Sequence, residues 1–313
     1  LLRNIASFSL VKQEIYGSKK SVVFFNCILI ALFEPSVQNL QSFLENAPGL
    51  VVVMAFFIAW AGFWFPIAAL LAMALKWQPG KPLQPNQKLP LLVSLYLLAP
   101  LILWAAIWLT KTSFSNYGFL TNISILGSLA VGFGLGILSL VVVFALQFWL
   151  GWCRLEESNI KQLPSILLPI LLIALFVGGI EELVFRGFLF SELELNYSVW
   201  VAAIISSLIF AALHLVWEQR ETIPQLPGLW LMGMVLVLAR FSDRGNLGLA
   251  WGLHAGWVWA IACLDTAQLI NYSDKVSEWV TGKNKKPLAG LAGIACLLLT
   301  AVILWLFYHL NLK

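Results

Sequence analysis

The 313-residue chain is 60% hydrophobic and 11% charged, with a mean hydropathy of +0.88. A soluble globular domain carries about 25% charged residues, so this composition excludes one and specifies a polytopic α-helical membrane protein. The net charge of +4 comes from lysines and arginines in the connecting segments, an orienting signal and not a nucleic-acid footprint.

The amino-terminal stretch, residues 1–46, differs from the rest. Lys19 and Lys20 precede a 12-residue run, Val22–Phe33, apolar except for Asn26. That run is short for a span and reads as a signal-peptide core, an interfacial helix or a thin ninth crossing. Residue 1 is Leu, so a reading of targeting peptides waits on the true start of the chain.

Eight apolar runs of span length follow, at about 50–75, 90–109, 123–150, 165–190, 198–217, 228–241, 246–264 and 288–310. They are continuous, without the alternation of a membrane barrel. The expected fold is therefore an all-α bundle of eight core spans plus the short amino-terminal one. Residues 47–150 hold the first three helices, 151–270 the functional core, and 271–313 a loop and the last helix. With eight crossings, ten Lys and Arg lie on one side and eight on the other; if Val22–Phe33 also crosses, the split becomes fourteen to four. The bias favours nine crossings with the amino terminus cytoplasmic. Cys27, Cys153, Cys263 and Cys296 stand singly, with no ligand spacing, and read as small core residues.

Within the fourth run, from Ile166 to Phe190, the charges are Glu181, Glu182 and Arg186. A charge near a bilayer centre costs about 2.5–3.5 kcal/mol even on lenient scales, so these groups need partners or a task. Glu182 and Arg186 are four apart, acid before base, and can neutralise one another. Glu181 points about 100° away on an α-helix and is left as the unpaired carboxylate, suited to act as a general base. Gly178 and Gly179, one turn earlier, leave room for another helix or a substrate backbone. His214 closes the fifth run in FAALH, with Phe210 one turn before it, and His254 lies inside the seventh. A turn near Tyr197 puts Glu181 and His214 at similar depths, ~24 and ~26 Å along their helices, so their side chains can meet. His309, beside Tyr308, reads as interfacial.

The order EExxxR, FxxxH and a later histidine in a glycine-bearing helix resembles the CAAX protease and bacteriocin-processing family of intramembrane proteases, which includes the type II CAAX prenyl endopeptidases. The resemblance spans about 165–260. It implies that Glu181 activates water, that His254 helps to hold that water, and that His214 donates to the oxyanion. Glu182, Arg186 and Phe210 would support them. Endopeptidase members carry HxxxN at the last motif, and this chain has Val258 at that position, with Trp257 and Asn246 nearby as substitute donors.

The expected function is thus an intramembrane endopeptidase that cuts a membrane-embedded or juxtamembrane protein or peptide, in contact with the lipid bilayer. No cofactor is expected; the alternative is zinc on Glu181, His214 and His254, although HExxH is absent. Other readings are a catalytically inactive scaffold of the same family and a proton-coupled transporter using Glu181 and the histidines as a relay.

Overall fold

The computed structural model describes residues 36–311 apart from 79, 82, 121, 122, 217, 218 and 274. The expected short span Val22–Phe33 and Cys27 lie outside the described residues. Each of the eight core runs is a helix: α1 (Gly49–Ala74), α2 (Pro85–Thr110), α3 (Ser124–Trp149), α4 (Leu163–Glu181), α5 (Val199–Leu213), α6 (Leu226–Ser242), α7 (Gly248–Thr266) and α8 (Leu291–Asn311). The α4 rod does not stop at Glu181; it widens into a π-helical stretch, Glu182–Leu189, and resumes as α-helix over Phe190–Glu194. Pro164 and Pro227 stand in the first turns of α4 and α6, where a missing N–H costs nothing.

Seven of these helical segments are long and apolar enough to cross a membrane, and α7 is the one that falls outside that set. Its Gly, Trp and His content lowers its hydropathy, which it tolerates because neighbouring helices surround it; Gly248 through Ala250 and Gly252 through Trp257 are buried. The two ends of α7 nevertheless lie on opposite faces. At one end the Leu247 N–H donates to the Gly118 carbonyl at 2.9 Å, in the loop after α2. At the other, β1 (Cys153–Leu155) pairs antiparallel with β2 (Ile270–Tyr272), joining the loops after α3 and α7. On the first face the Gly49 N–H donates to Asn196 Oδ1 at 2.6 Å, after α4; on the second, Lys286 after α7 meets Glu221 after α5 at 3.8 Å. Loops after even helices share one face and loops after odd helices the other, as alternate crossing requires.

Helices α3 and α7 pack closely through glycine. A Cβ at Gly132 would lie 2.3 Å from the Leu249 carbonyl oxygen, one at Gly136 2.7 Å from that of Leu253, and one at Gly252 2.0 Å from that of Leu129. Backbone meets backbone here, the geometry that small residues four apart permit between membrane helices. Outward-facing positions such as Ile58, Phe65, Leu70, Trp104 and Leu172 are exposed and apolar. A surface of that kind suits lipid, and the chain is an integral, multi-pass membrane protein.

Cys153, Cys263 and Cys296 are buried and unpaired. Burial pushes the Cys153 thiol up to about 11, so it is protonated and inert at neutral pH, in keeping with a packing role.

Candidate active site

The chemistry-bearing groups gather where α4 enters its π-helical stretch. Gly178 faces Ala255 of α7, and Gly179 faces the Trp251 indole so closely that a Cβ would lie 2.8 Å from it. The glycine pair thus admits another helix, and α7 comes near enough for His254 to reach both acids of α4. His254 Nδ1 lies 2.7 Å from Glu182 Oε1, and its Nε2 lies 3.5 Å from Glu181 Oε2.

Glu182 and Arg186 pair as their spacing predicts, at 3.1 Å, and are 0% and 1% exposed. The π-helical geometry is the difference from expectation. Such single widened turns cluster at functional sites, and an outside donor supports this one: the Arg240 guanidinium of α6 donates to the Arg186 carbonyl and, at 3.0 Å, to Ser191 Oγ. The Arg186 guanidinium carbon sits 4.2 Å from the centre of the Phe210 ring, a cation–π contact that desolvation strengthens. The same ring lies edge-on to His214 and His254, with centroids 4.7 and 6.0 Å away. Phe210 of α5 is therefore the apolar hub about which the arginine and both histidines are arranged.

Glu181 borders a cavity of about 360 Å³ that His214 also lines, so the two residues expected to meet do share one space. The remaining wall is almost wholly apolar and includes Phe57, Trp60 and Trp64 of α1 and Leu95 of α2. One polar group there was not anticipated from the sequence: the Tyr96 hydroxyl of α2 donates to Glu181 Oε1. A tyrosine within an apolar run gave the only signal, and membrane aromatics are common enough to hide it.

The His214 ring is held by its own helix. Its Nδ1 lies 2.8 Å from the Phe210 carbonyl oxygen, which can only accept, so Nδ1 is the protonated nitrogen. A neutral His214 consequently presents a lone pair at Nε2, and it donates to an oxyanion only as the imidazolium. Of the two substitute donors considered at the last motif, the indole is engaged elsewhere and the asparagine uses its oxygen as an acceptor. The Trp257 indole donates to Ser139 Oγ at 2.9 Å, and Asn246 Oδ1 accepts the Gly248 N–H at 3.1 Å at the start of α7. Val258 borders a different cavity, of about 350 Å³, with Leu140, Met232 and Leu297.

Among the described residues, no group of three or more His, Cys, Asp or Glu side chains is arranged to hold a metal ion.

These features define a multi-pass membrane protein with a buried carboxylate and histidine centre. Residues 162–260 match the family model described as type II CAAX prenyl endopeptidase Rce1-like, which confirms, over about a third of the chain, the resemblance carried by EExxxR, FxxxH and the later histidine. The chain is also similar to an uncharacterized 24.3 kDa protein of Escherichia coli, 32% identical over 89 residues, or 28% of this chain and 40% of that protein's length. No solved structure matches the chain.

Proposed function

We propose that the chain is an intramembrane endopeptidase in which Glu181 activates the water that attacks a peptide carbonyl. The observation that carries this reading is the facing of Glu181 Oε2 and His254 Nε2 at 3.5 Å. Glu182 Oε1 accepts from Arg186 and, as a carboxylate oxygen, also accepts from His254 Nδ1. A neutral His254 therefore turns a lone pair toward Glu181. A water seated beside this pair would donate one O–H to each acceptor.

The steps follow from this placement. Glu181 takes one proton of the water as its oxygen bonds to the carbonyl carbon, and His254 accepts a hydrogen bond from the other proton. The carbonyl π pair moves to oxygen, where His214, protonated on both nitrogens, donates from Nε2. Collapse of the intermediate breaks the C–N bond, and the proton held by Glu181 goes to the leaving amine. Glu182, Arg186 and Phe210 hold His254 and do not touch substrate. The substrate class it implies is a membrane-embedded or juxtamembrane protein whose residues at the cut enter a cavity walled by Phe57, Trp60 and Trp64.

The test compares new peptide termini in membranes of cells that make the wild type with those of cells that make Glu181→Ala. A set of termini present only with the wild type supports the reading; identical sets from two equally expressed proteins sink it.

A further inference from the structure

Helices α1 and α2 lie outside residues 162–260, the segment that carries the family match, yet they supply one wall of the Glu181 cavity and one hydrogen bond to its carboxylate. The two helices are fastened to each other by indole donors. Trp60 Nε1 donates to the Leu95 carbonyl at 2.8 Å, and Trp64 Nε1 donates to Ser94 Oγ at 3.0 Å, which in turn donates to the Leu91 carbonyl at 2.8 Å. Those contacts fix the α2 turn on which Tyr96 stands. Its hydroxyl reaches Glu181 Oε1 in a part-buried position among apolar side chains.

A glutamate carboxyl rotates easily about its last torsion, which is broad and roughly two-fold. If it is free, its two oxygens exchange places and the base is out of line for much of the time. One donor on Oε1 sets the plane and leaves Oε2 as the oxygen that faces His254. Among the described residues, the other charged or titratable groups around Glu181 do not hold Oε1: Glu182 and Arg186 on its own helix pair with each other, His254 of α7 faces Oε2, and His214 of α5 donates to the Phe210 carbonyl. We propose that Tyr96 is the positioning residue of the base, so that the catalytic unit comprises α2 together with the core at 162–260. The proposal rests on the reading of Glu181 as base. It assigns α1 and α2 a part in rate as well as in enclosure.

Tyr96→Phe removes the donor and keeps the ring. In full-length, detergent-purified protein acting on total membrane protein from cells that lack the chain, Tyr96→Phe is expected to slow the Glu181-dependent formation of new amino termini by about 10- to 100-fold, the scale of a small misplacement of a catalytic group. The thermal midpoint is expected to stay in place. 4-Aminophenylalanine at position 96, which restores a donor on the same ring, should recover most of the rate. The infrared carboxylate band that disappears in Glu181→Gln should move in Tyr96→Phe, a change that a purely packing role would not produce. A rate within threefold of wild type with an unmoved band would overturn the proposal. Should Glu181→Gln itself cleave at the wild-type rate, the base reading falls, and the infrared band still reports separately whether Tyr96 holds Glu181.

Discussion

One oxygen, Glu182 Oε1, ties the ion pair of α4 to the histidine of α7, because it accepts from both Arg186 and His254. Removing Arg186 strands a buried charge, a change that costs about 3–5 kcal/mol. Arg186→Ala should therefore lower the yield of folded protein in detergent, measured by gel filtration, and the double change Glu182→Gln with Arg186→Met should restore it. Failure of that rescue would contradict the pairing. At His214 the Nδ1 donation to the Phe210 carbonyl fixes the ring so that Nε2 is the nitrogen turned to an oxyanion. His214→Ala should slow cleavage by about 100- to 1000-fold, the scale of one oxyanion donor, with the thermal midpoint in place; a rate within threefold of wild type would remove His214 from the role. The acids, Arg186 and both histidines were legible in the sequence because a charge or imidazole inside an apolar run stands out energetically. Tyr96 was not, since a tyrosine costs a span little and its partner lies 85 residues away.

At the scale of elements, the site depends on two close approaches, α3 on α7 and α7 on α4. Both use glycines whose added Cβ would meet fixed atoms. Gly252→Val would drive a branched side chain into the Leu129 carbonyl, and overpacking of this kind costs about 1–3 kcal/mol or more. It should reduce both the thermal midpoint and the yield, whereas Gly62→Val, where nothing lies within 4 Å, should change neither. Equal behaviour of the two variants would argue against the α3 and α7 contact. Helix positions were read well from the sequence, since runs such as 50–75 and 123–150 differ by about a residue from Gly49–Ala74 and Ser124–Trp149. The π-helical stretch was not legible: one residue added to a turn leaves the apolar pattern of an entirely apolar run unchanged. Its support, Arg240, sits at the end of a span, where an arginine reads as interfacial.

Across the molecule, the described loops pair with loops that alternate crossing puts on the same face. The face of β1, β2 and Lys286 holds the loops after odd helices, which carry the larger share of loop lysines and arginines. The Glu181 cavity lies between α1 and α2 on one side and α4 and α5 on the other. Glu181, His214 and His254 come from three different helices, α4, α5 and α7, so their meeting depends on how those helices pack. The central claim is that this assembly uses Glu181 as a base, and Glu181→Gln tests it most directly. The amide keeps the size of the carboxyl and can still accept from Tyr96, but it cannot take a proton from water. Purified wild type and Glu181→Gln would be compared for the rate of peptide-bond cleavage in membrane protein, with thermal unfolding measured on the same samples. The account predicts loss of at least a thousandfold in rate, roughly 4 kcal/mol of barrier, with an unfolding midpoint that stays in place; a stable Glu181→Gln protein that cleaves within tenfold of wild type would contradict it.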